Sequence, residues 1–385
     1  MEADLAAVAP EPGLARLGLS HHALKPGGGF ERYAATLVRG LHVHGLRPAF
    51  IAREFDVRMP EVHWVEPVRV RMTGVPHAWR DHVFDWRLGP IKRRLGVAPL
   101  ISCNPTRHAD IAVCGGTHPG YLLAMGDRPN LRDRWKVSLE QAFYERAAII
   151  VAHSRAMKDE IAEHYGITGP KVQLLYPPVD STRFSPPVDD AQRAALRRRF
   201  DFPDDRAVFL LASTSHRRKG LGQLAAYFAN TDLPATLVVA GRPLGGSPAN
   251  VRWIGYSRDI ENLYRAVDFT IMASTYEPFG LVGIESLLCG TPVLLASGVG
   301  CSEVIEADAR IDFAPGDPGA LGEAVRYAVA QWRTDTHRIA VPARALRYDP
   351  SVAAHVDALL ALVRQWRSRH GDRVADEPGT HPAHA

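Results

Sequence analysis

A proline-rich segment near the middle of the chain constrains the fold more than any other feature. The twelve residues from Tyr176 to Pro187, YPPVDSTRFSPP, include four prolines. Proline lacks the backbone N–H that helix interiors and central strands require, so neither element can run through this segment. On both sides of it, short apolar runs bounded by turn residues alternate with helical patterns, which is typical of βαβ units and parallel sheets. The sequence therefore predicts an α/β protein with two doubly wound domains.

The two halves have similar predicted elements. In the first half the strands are Leu14–Leu19, Pro48–Ala52, Val62–Val65, Leu100–Cys103, Ile111–Cys114 and Ile149–Ala152, and the helices are Glu31–Val43, Arg134–Ala148 and Ser154–Tyr165. In the second half the strands are Ala207–Ala212, Ala235–Ala240, Val251–Gly255, Phe269–Met272 and Pro292–Ala296, and the helices are Leu221–Asn230, Ile260–Ala266 and Leu281–Cys289. Ser351 is placed to cap a closing helix whose apolar stripe ends at Trp366. We expect the polar residues 369–385 to form a disordered tail.

Composition excludes several classes of protein. The 385 residues are 46% apolar and 23% charged, which rules out a disordered, collagen-like or coiled-coil chain. The net charge is +4, and the excess lies in the first half, where 24 basic residues stand against 19 acidic ones up to Arg183. A mildly basic half favours phosphate-bearing partners or an anionic membrane surface, and it is too weak to indicate binding to nucleic acid.

Cysteine usage and hydropathy favour a cytoplasmic protein. Cys103, Cys114, Cys289 and Cys301 have no CxxC spacing and lie in apolar or glycine-rich surroundings, as small core residues do in a reducing compartment. The first residues lack a basic segment followed by an apolar one, so export is not expected. No apolar run approaches the ~20 residues of a membrane span. The predicted location is the cytoplasm, with a peripheral position on the inner face of the cytoplasmic membrane as the alternative.

The segment Ser274–Gly290, STYEPFGLVGIESLLCG, carries the strongest functional signal. It follows a predicted strand directly, and open α/β sheets bind ligands at the carboxyl ends of their strands. Glu277 and Glu285 can therefore face one cleft, one holding sugar hydroxyls and the other a ribose diol. The first amides of the intervening helix, which would face an anion, are those of Gly280, Leu281 and Val282. The alternative interpretation is a surface loop with two solvated carboxylates.

Two further loops follow strands and carry residues suited to phosphate. Ser213–Gly220, STSHRRKG, contains Arg217, Arg218 and Lys219, which could neutralise a diphosphate leaving group. Lys25–Arg32, KPGGGFER, contains three glycines that let the backbone approach a phosphate beside a helix N-terminus. Either loop alone could be an ordinary solvated turn. The GGG spacing differs from the GxGxxG of dinucleotide sites, which argues against a hydride-transfer enzyme.

A fourth loop, Cys114–Tyr121, has the sequence CGGTHPGY. It follows the predicted strand Ile111–Cys114 and places His118 at the cleft-facing edge of the first sheet. There the imidazole could contact the acceptor or the transferred sugar, which makes His118 a catalytic candidate. A single loop histidine can equally be structural, so both interpretations stay open.

Together these segments resemble the family-4 glycosyltransferases, which are retaining enzymes with the GT-B fold. The family signature is two glutamates separated by seven residues, here Glu277 and Glu285, opened by EPFGL and continued by LLCGTPVLL. Other matching stretches are the GGG loop, VAHSRAMKDEI at 151–161, PPVDSTRFSP, RRKG, and DFAPGDPGALGEAV at 312–325. Within the family, the chain is most similar to the glucosyltransferases of the lipopolysaccharide core, which have an arginine directly before the lysine, as at Arg218. Many other members have an arginine where this chain has Ser213.

The resemblance implies two Rossmann-like domains that face a central cleft. Residues 1–183 would bind the acceptor, residues 184–345 would bind the nucleotide sugar, and the helix within 346–368 would cross back onto the first domain. Glu277 would bind hydroxyls of the donor sugar and Glu285 the nucleotide ribose. Arg218 and Lys219 would stabilise the charge that develops on the leaving nucleoside diphosphate. The remaining donor contacts would come from Gly28, Gly29, Tyr256, Gly280, Leu281 and Val282.

The resemblance also implies the chemistry. The family works without a bound metal, and the chain has no DxD-like carboxylate pair, so no metal or other cofactor is expected beside a nucleoside-diphosphate sugar such as a UDP-sugar. No carboxylate suggests itself as a nucleophile, which favours a same-face displacement in which the leaving phosphate helps to deprotonate the acceptor. The acceptor would be a glycan or lipid-linked sugar of lipopolysaccharide or cell-envelope polysaccharide. A soluble small-molecule acceptor and a non-catalytic sugar-nucleotide-binding protein are the alternatives.

The segment His77–Leu95, HAWRDHVFDWRLGPIKRRL, mixes aromatic and basic residues at helical spacing. Interfacial helices use this combination against anionic lipid. Pro90 predicts that the segment forms two short helical pieces. Two interpretations are open: an interfacial segment that docks the basic domain on a membrane, or a helix whose aromatic side chains face the core of its own domain.

Overall fold

Two parallel β-sheets, one built mainly before the proline-rich segment and one after it, form the framework of the protein. The computed structural model describes residues 16–246 and 248–375. The strands before Pro177 are β1 Gly18–Ser20, β2 Ala23–Leu24, β3 Ala49–Ala52, β4 Glu54–Phe55, β5 Glu66–Arg69, β6 Leu100–Ser102, β7 Ile111–Cys114, β8 Ile149–Ala152 and β9 Val172–Leu174. Seven of them form one sheet in the order β5-β3-β1-β6-β7-β8-β9, and β2 pairs with β4.

The second sheet has six strands in the order β12-β11-β10-β13-β14-β15. Its strands are β10 Ala207–Ser213, β11 Ala235–Gly241, β12 Val251–Gly255, β13 Phe269–Met272, β14 Val293–Ala296 and β15 Arg310–Phe313. All neighbours in both sheets are parallel, which confirms the predicted α/β fold with two doubly wound domains. In each sheet the strand order reverses beside the strand that comes first in the chain, namely β1 and β10.

Helices cover the faces of both sheets, as parallel sheets require. Those of the first half are α1 Gly29–Val43, α2 Arg80–Leu95, α3 His118–Met125, α4 Leu131–Arg146 and α5 Arg155–Tyr165. Those of the second half are α6 Asp190–Arg199, α7 Leu221–Asn230, α8 Ile260–Ala266, α9 Leu281–Leu288, α10 Pro318–Arg333 and α11 Val352–Ala375. The four cysteines are free and buried, as expected of small core residues.

Two predictions about the first half are wrong. Val62–Val65 is not a strand, because Pro60 begins a 3-10 helix, Pro60–Trp64, and the strand β5 follows at Glu66. Val62 and Val65 are buried all the same, so their apolar character reflects the core and not a strand. The predicted first strand, Leu14–Leu19, lies partly outside the described residues, and β1 begins at Gly18.

The segment around Pro90 is the second correction. It forms one helix, α2, with Pro90 in its interior, and not two short pieces. A proline inside a helix removes a hydrogen bond and costs ~3 kcal/mol. Here Phe84 and Leu88 are fully buried, and Ile91 packs against the same core cluster, so burial on both sides of the proline offsets that loss.

The closing helix α11 crosses from the second half of the chain to the first domain, as the resemblance implied. Ser351 Oγ accepts a hydrogen bond from Ala354 N at 3.2 Å, which confirms the predicted cap. The apolar stripe lies in the core of the first sheet and consists of Val356, Leu359, Leu360, Val363 and Trp366. The helix runs to Ala375, past the predicted start of the tail at Arg369. Residues 376–385 lie outside the described residues.

Gly40 of α1 gives a test of how closely α11 packs. A methyl group at Gly40 would overlap Val356 of α11, whereas one at Gly222 of α7 would meet nothing within 4 Å. Overpacking costs about 1–3 kcal/mol, so Gly40→Ala should lower the midpoint of thermal unfolding by a few degrees. Val356→Ala in the same chain should recover part of the loss. The matched Gly222→Ala should leave the midpoint unchanged or raise it, since alanine is the better helix former. If both alanines raise the midpoint alike, α11 does not pack on α1 in this way.

Candidate active site

The candidate active site lies where the strand order reverses. Parallel sheets open a crevice at this point, beyond the carboxyl ends of the strands. In the second sheet β10 lies between β11 and β13, and in the first sheet β1 lies between β3 and β6. The basic loop Ser213–Gly220 continues from the end of β10, and the loop Ser274–Gly280 follows β13. The reversal therefore brings Lys219 and Glu277 together although 58 positions separate them.

Three donors converge on one carboxylate oxygen of Glu277. Lys219 Nζ makes a short ion pair with Oε2, Arg218 Nη1 donates to the same atom at 3.0 Å, and Ser274 Oγ donates at 3.3 Å. Arg218 Nη1 also donates to the carbonyl of Tyr276 at 2.9 Å, which ties the basic loop to the loop that carries Glu277. In the described part of the chain no hydrogen bond reaches the other oxygen, Oε1, which is left for a ligand hydroxyl.

The electrostatics keep Glu277 ionised. Burial opposes its ionisation, but the charges of Lys219 and Arg218 outweigh burial and lower the pKa of the Glu277 carboxyl. An ionised carboxylate only accepts hydrogen bonds, which suits the hydroxyls of a sugar. The side chains of Lys219 and Glu277 are 9% and 12% exposed, so little solvent screens the pair.

Two helix N-termini face each other beside this cluster. Gly280 precedes α9 with φ +95°, a conformation that favours glycine, and Gly28 precedes α1; neither end has a side-chain cap. The first amides of each helix lack helical acceptors and form the positive end of the helix dipole. A methyl group at Gly29 would be 4.0 Å from Leu281 Cδ1, so the glycine-rich turn reaches the start of α9 across the cleft. The turn that contains Gly28 and Gly29 therefore lies next to the start of α9, where Gly280, Leu281 and Val282 follow one another.

Glu285 has partners that the sequence did not indicate. Its Oε1 accepts a hydrogen bond from Arg32 Nη1 at 2.6 Å, and its Oε2 accepts one from the hydroxyl of Tyr264 at 3.1 Å. The ion pair raises the pKa of Arg32. Arg32 belongs to α1 of the opposite domain, so a ribose diol at Glu285 would have to replace or share this contact. The position of Arg32, one turn into the helix that follows GGG, is the signal that could have found it.

Tyr256 lies at the rim of the same region. It follows β12 and is 69% exposed. Glu285 is the main group that raises the pKa of Arg32, and the Tyr256 phenol adds to this effect, as expected of a residue in the neighbourhood of the pair. An exposed aromatic ring at this position is available to contact a nucleobase.

Arg217 and Ser213 lie apart from the cation cluster. Arg217 crosses to the first domain, where it donates to Asp127 Oδ1 at 2.9 Å and to the carbonyl of Met125 at 2.7 Å. Of the three cations in the basic loop, only Arg218 and Lys219 therefore reach Glu277. Ser213 Oγ lies 2.8 Å from His216 Nδ1 of its own loop.

His118 lies on the first-domain side of the cleft as the first residue of α3. Its ring Nε2 is 2.9 Å from Asp133 Oδ1, and its backbone N–H donates to Glu140 Oε2 at 2.8 Å. The Tyr121 ring stacks on the imidazole with centroids 6.3 Å apart. The residue before it, Thr117, donates its backbone N–H to the hydroxyl of Tyr276 at 2.9 Å, so the loop of His118 contacts the loop of Glu277 directly.

A cavity of about 640 Å³ opens beside His118. Its walls carry imidazoles, carboxylates and an aromatic surface, including His22, Asp81, His118, Asp133, Trp135 and Glu140. Burial raises the pKa of Glu140 to about 7, although Tyr165 and the His118 amide donate to it. Such a mixture of polar groups and aromatic faces suits a carbohydrate. No group of three or more His, Cys, Asp or Glu side chains within residues 16–246 and 248–375 could hold a metal ion.

Comparison with known proteins defines the class. Residues 27–183 match the model of Glycosyltransferase Family 4, and residues 192–343 match that of Glycosyl transferases group 1. A probable transglycosylase of Burkholderia thailandensis is 47% identical over 93% of this chain and 99% of its own length. A D-inositol 3-phosphate glycosyltransferase of Salinispora tropica is 29% identical over 77% of this chain and 65% of its own length. The protein belongs to glycosyltransferase family 4.

Solved structures agree on the architecture. WaaG, a glycosyltransferase involved in lipopolysaccharide biosynthesis, superposes with a TM-score of 0.77 at 15% identity, covering 90% of this chain and 99% of WaaG. Anabaena HepE in complex with UDP-glucose superposes with a TM-score of 0.66 at 16% identity, covering 92% of this chain and 99% of HepE. The fold is therefore GT-B, as expected from the sequence.

The ion pair between Lys219 and Glu277 predicts a pH-dependent stability. A depressed pKa means that the pair stabilises the folded state above pH 4.5, the ordinary pKa of glutamate, and that this contribution is lost as pH falls through the folded pKa. Lys219→Met leaves a buried charge with only one cation, and breaking such a pair costs about 3 kcal/mol. We expect this loss in denaturant unfolding at pH 7.5 and a smaller one at pH 4.

Two further variants separate the pair from a general effect of the substitution. Adding Glu277→Gln to Lys219→Met removes the uncompensated charge and should recover most of the stability at pH 7.5. The exposed Lys158 serves as the matched control, because its substitution by Met should change little at either pH. An equal loss at both pH values in Lys219→Met would mean that packing, and not the ion pair, is responsible.

Proposed function

We propose that the protein is a retaining hexosyltransferase that takes its sugar from a nucleoside-diphosphate sugar, a UDP-sugar in the first instance, without a bound metal. One observation carries the proposal: Lys219 and Arg218 lie on Glu277 beside the uncapped N-termini of α1 and α9. Two cations and two positive helix ends around one acceptor oxygen suit a diphosphate next to sugar hydroxyls. HepE, which shares the fold, was solved with UDP-glucose.

Each donor group then has a counterpart in the site. The free Oε1 of Glu277 accepts a hydroxyl of the donor sugar, and the amides of Gly280, Leu281 and Val282 receive the diphosphate. Glu285 accepts hydrogen bonds from the ribose diol after Arg32 Nη1 has released Glu285 Oε1. Tyr256 lies where it can border the base. Gly28 and Gly29 close over the phosphates from the first domain.

The same groups support departure of the nucleoside diphosphate. Breaking the anomeric C–O bond leaves negative charge on the β-phosphate, and Lys219 and Arg218 are placed to stabilise it. Glu277 is held by those cations through Oε2, and its Oε1 is assigned to a hydroxyl of the donor sugar, so in this arrangement it does not act as the nucleophile. The mechanism we propose is a same-face displacement: the acceptor oxygen bonds to the anomeric carbon on the face from which the phosphate leaves, a phosphate oxygen accepts the hydroxyl proton, and the configuration is retained. A trapped glycosyl–enzyme adduct would contradict this mechanism.

The cavity beside His118 is the proposed acceptor site. Its volume of about 640 Å³ accommodates a short oligosaccharide, and Trp135 offers an apolar face for a sugar ring. We propose a glycan or glycolipid acceptor in lipopolysaccharide or cell-envelope polysaccharide synthesis, in line with the fold shared with WaaG. A soluble small-molecule acceptor is the alternative.

Thermal-shift measurements with UDP-, GDP- and ADP-sugars in EDTA test the donor site. A ligand that binds only the folded state raises the unfolding midpoint, by an amount equivalent to ~2.7 kcal/mol at a hundredfold excess over Kd. We expect one nucleotide sugar to raise the midpoint of the wild type. The shift should be absent in Lys219→Ala and unchanged in the control Lys158→Ala, each compared with its own ligand-free midpoint.

The outcomes separate the candidate functions. A shift that appears only after a divalent metal replaces EDTA would contradict metal independence. The name of the relative from Burkholderia thailandensis, a probable transglycosylase, suggests a glycan as the donor. A shift with oligosaccharides and none with nucleotide sugars would favour that function over the one proposed. Binding without turnover on any glycan or small acceptor would indicate a non-catalytic binding protein.

The exposed face of α2 supports a peripheral position on the cytoplasmic membrane. Phe84 faces the core, whereas Trp86 is 71% exposed. Trp86, Pro90, Arg93 and Arg94 are all exposed and follow one another at helical spacing. A tryptophan with two arginines on one face suits anionic lipid. The residues at the start of α2, such as Asp81, line the acceptor cavity, so docking by α2 would bring a lipid-linked acceptor to it. No helix in the described ranges is long and apolar enough to cross a bilayer.

Flotation with vesicles that contain about a third anionic lipid tests the docking face. Arg93→Glu combined with Arg94→Glu should remove most of the binding, because each basic residue near the surface contributes ~1 kcal/mol. Arg198→Glu combined with Arg326→Glu changes the net charge equally on exposed positions of the second domain and is the matched control. Equal losses in both variants would mean that net charge alone drives binding. No binding by the wild type would favour the soluble acceptor.

A further inference from the structure

The contact between His118 and Asp133 determines which ring nitrogen of His118 is free. Asp133 Oδ2 accepts the backbone N–H of Asn130 at 3.0 Å, and Oδ1 lies 2.9 Å from His118 Nε2. The Asn130 amide and the imidazole lower the pKa of the Asp133 carboxyl, so it is ionised near neutrality. An ionised carboxylate cannot donate. The hydrogen between the two side chains is therefore on Nε2.

The other ring nitrogen is then the chemically useful one. In a neutral imidazole that carries its hydrogen on Nε2, Nδ1 has a lone pair and accepts a hydrogen bond. No hydrogen bond from the described residues reaches His118 Nδ1, and the imidazole lines the cavity. The contact of Nε2 with Asp133 fixes the orientation of the ring, and the Tyr121 ring lies nearly parallel to it with centroids 6.3 Å apart.

We propose that Asp133 is a positioning residue that holds His118 with its hydrogen on Nε2, so that Nδ1 accepts a hydrogen bond from a sugar hydroxyl in the cavity. The inference rests on the proposed function for the identity of the ligand, and on geometry alone for the tautomer. Asp133 does not contact the sugar in this scheme. It acts through the imidazole, in the way that a carboxylate fixes the tautomer of a catalytic histidine.

Asp133→Asn tests the proposal because the Asp133 carboxylate accepts two hydrogen bonds, one from the Asn130 amide and one from His118 Nε2, whereas an asparagine side chain has only one oxygen. When that oxygen accepts the Asn130 amide, the NH₂ group faces His118 Nε2 and needs a lone pair there. The hydrogen must then move to Nδ1, which turns the proposed acceptor into a donor. The helix cap is preserved, so folding should be little affected.

Nitrogen NMR of histidine-labelled protein measures the tautomer without any substrate. At pH 8.5, well above the ordinary pKa of imidazole, long-range ¹H–¹⁵N spectra distinguish the two neutral forms. The His118 signals are those lost in His118→Gln. We expect hydrogen on Nε2 in the wild type and on Nδ1 in Asp133→Asn. Asp133→Glu keeps an acceptor-only carboxylate and should keep hydrogen on Nε2. The same tautomer in wild type and Asp133→Asn would overturn the proposal.

Steady-state kinetics test the consequence. Asp133→Asn should lower kcat by about tenfold, the size expected for the loss of one hydrogen bond. The donor KM should change less than threefold, since Asp133 and His118 are not among the proposed donor contacts. His118→Gln should lower kcat similarly, and the double variant no further. If the fold-losses in kcat of the two single variants multiply in the double variant, the two residues act independently and the proposal is overturned. Asp317→Asn, the same change at the N-cap of α10, is the control for the helix terminus and should leave kcat unchanged.

The two arms fail in different ways. A wild type that does not turn over any nucleotide sugar contradicts the proposed function, and the tautomer measurement then decides alone whether Asp133 positions His118. A wild type that is active, with Asp133→Asn equally active despite a changed tautomer, overturns the role of Nδ1 and leaves the transferase function standing. If the unfolding midpoint of Asp133→Asn falls by more than a few degrees, two other variants replace it. Asp133→Glu should then keep hydrogen on Nε2 and most of the activity, whereas His118→Gln should lose activity.

Discussion

The attraction between one buried carboxylate and two cations organises the cleft. Without Glu277, Lys219 and Arg218 would repel each other at the end of β10; without the cations, Glu277 would be an uncompensated charge beside the core. Their pairing joins the loops that follow β10 and β13, and Arg218 adds a bond to the Tyr276 carbonyl. The loop then continues to Gly280, whose positive φ starts α9. The position of the α9 amides thus depends on the same ion cluster.

Three of the contacts across the cleft are hydrogen bonds between side chains or loops of the two domains, which matters for entry of a ligand. Arg32 reaches Glu285, Thr117 reaches Tyr276, and Arg217 reaches Asp127, each through hydrogen bonds that water or a ligand can replace. Polar interfaces between domains allow relative motion. Tyr276 directly precedes Glu277, so closure of the first domain onto the Tyr276 hydroxyl also constrains the carboxylate next to it. Closure of the first domain and the position of the Glu277 carboxylate are therefore linked through the peptide bond between Tyr276 and Glu277.

The sequence predicted what depends on local pattern. Apolar runs gave strands close to their observed bounds, and Ser351 marked the start of α11, because period and capping are properties of neighbouring residues. Two predictions failed beside prolines: Pro60 begins a 3-10 helix where a strand was expected at Val62–Val65, and Pro90 lies inside a helix that burial keeps whole. The Arg32–Glu285 pair spans 253 positions: the glycine-rich turn indicates that Arg32 lies near the cleft, but no local pattern identifies Glu285 as its partner.

The two carboxylates of α4 that hold His118 show how environment divides one chemistry into two functions. Asp133 is at the start of the helix, where a backbone amide favours its ionised form, whereas Glu140 lies seven residues on and is buried, with a pKa raised to about 7. A raised pKa means that the folded state binds this proton more tightly, so Glu140 lowers stability as pH rises from 4.5 through 7. Its hold on the His118 amide is strongest when it is ionised. Burial of Glu140 therefore lowers the folding stability near neutral pH, while the same carboxylate holds the backbone of His118 at the edge of the cavity.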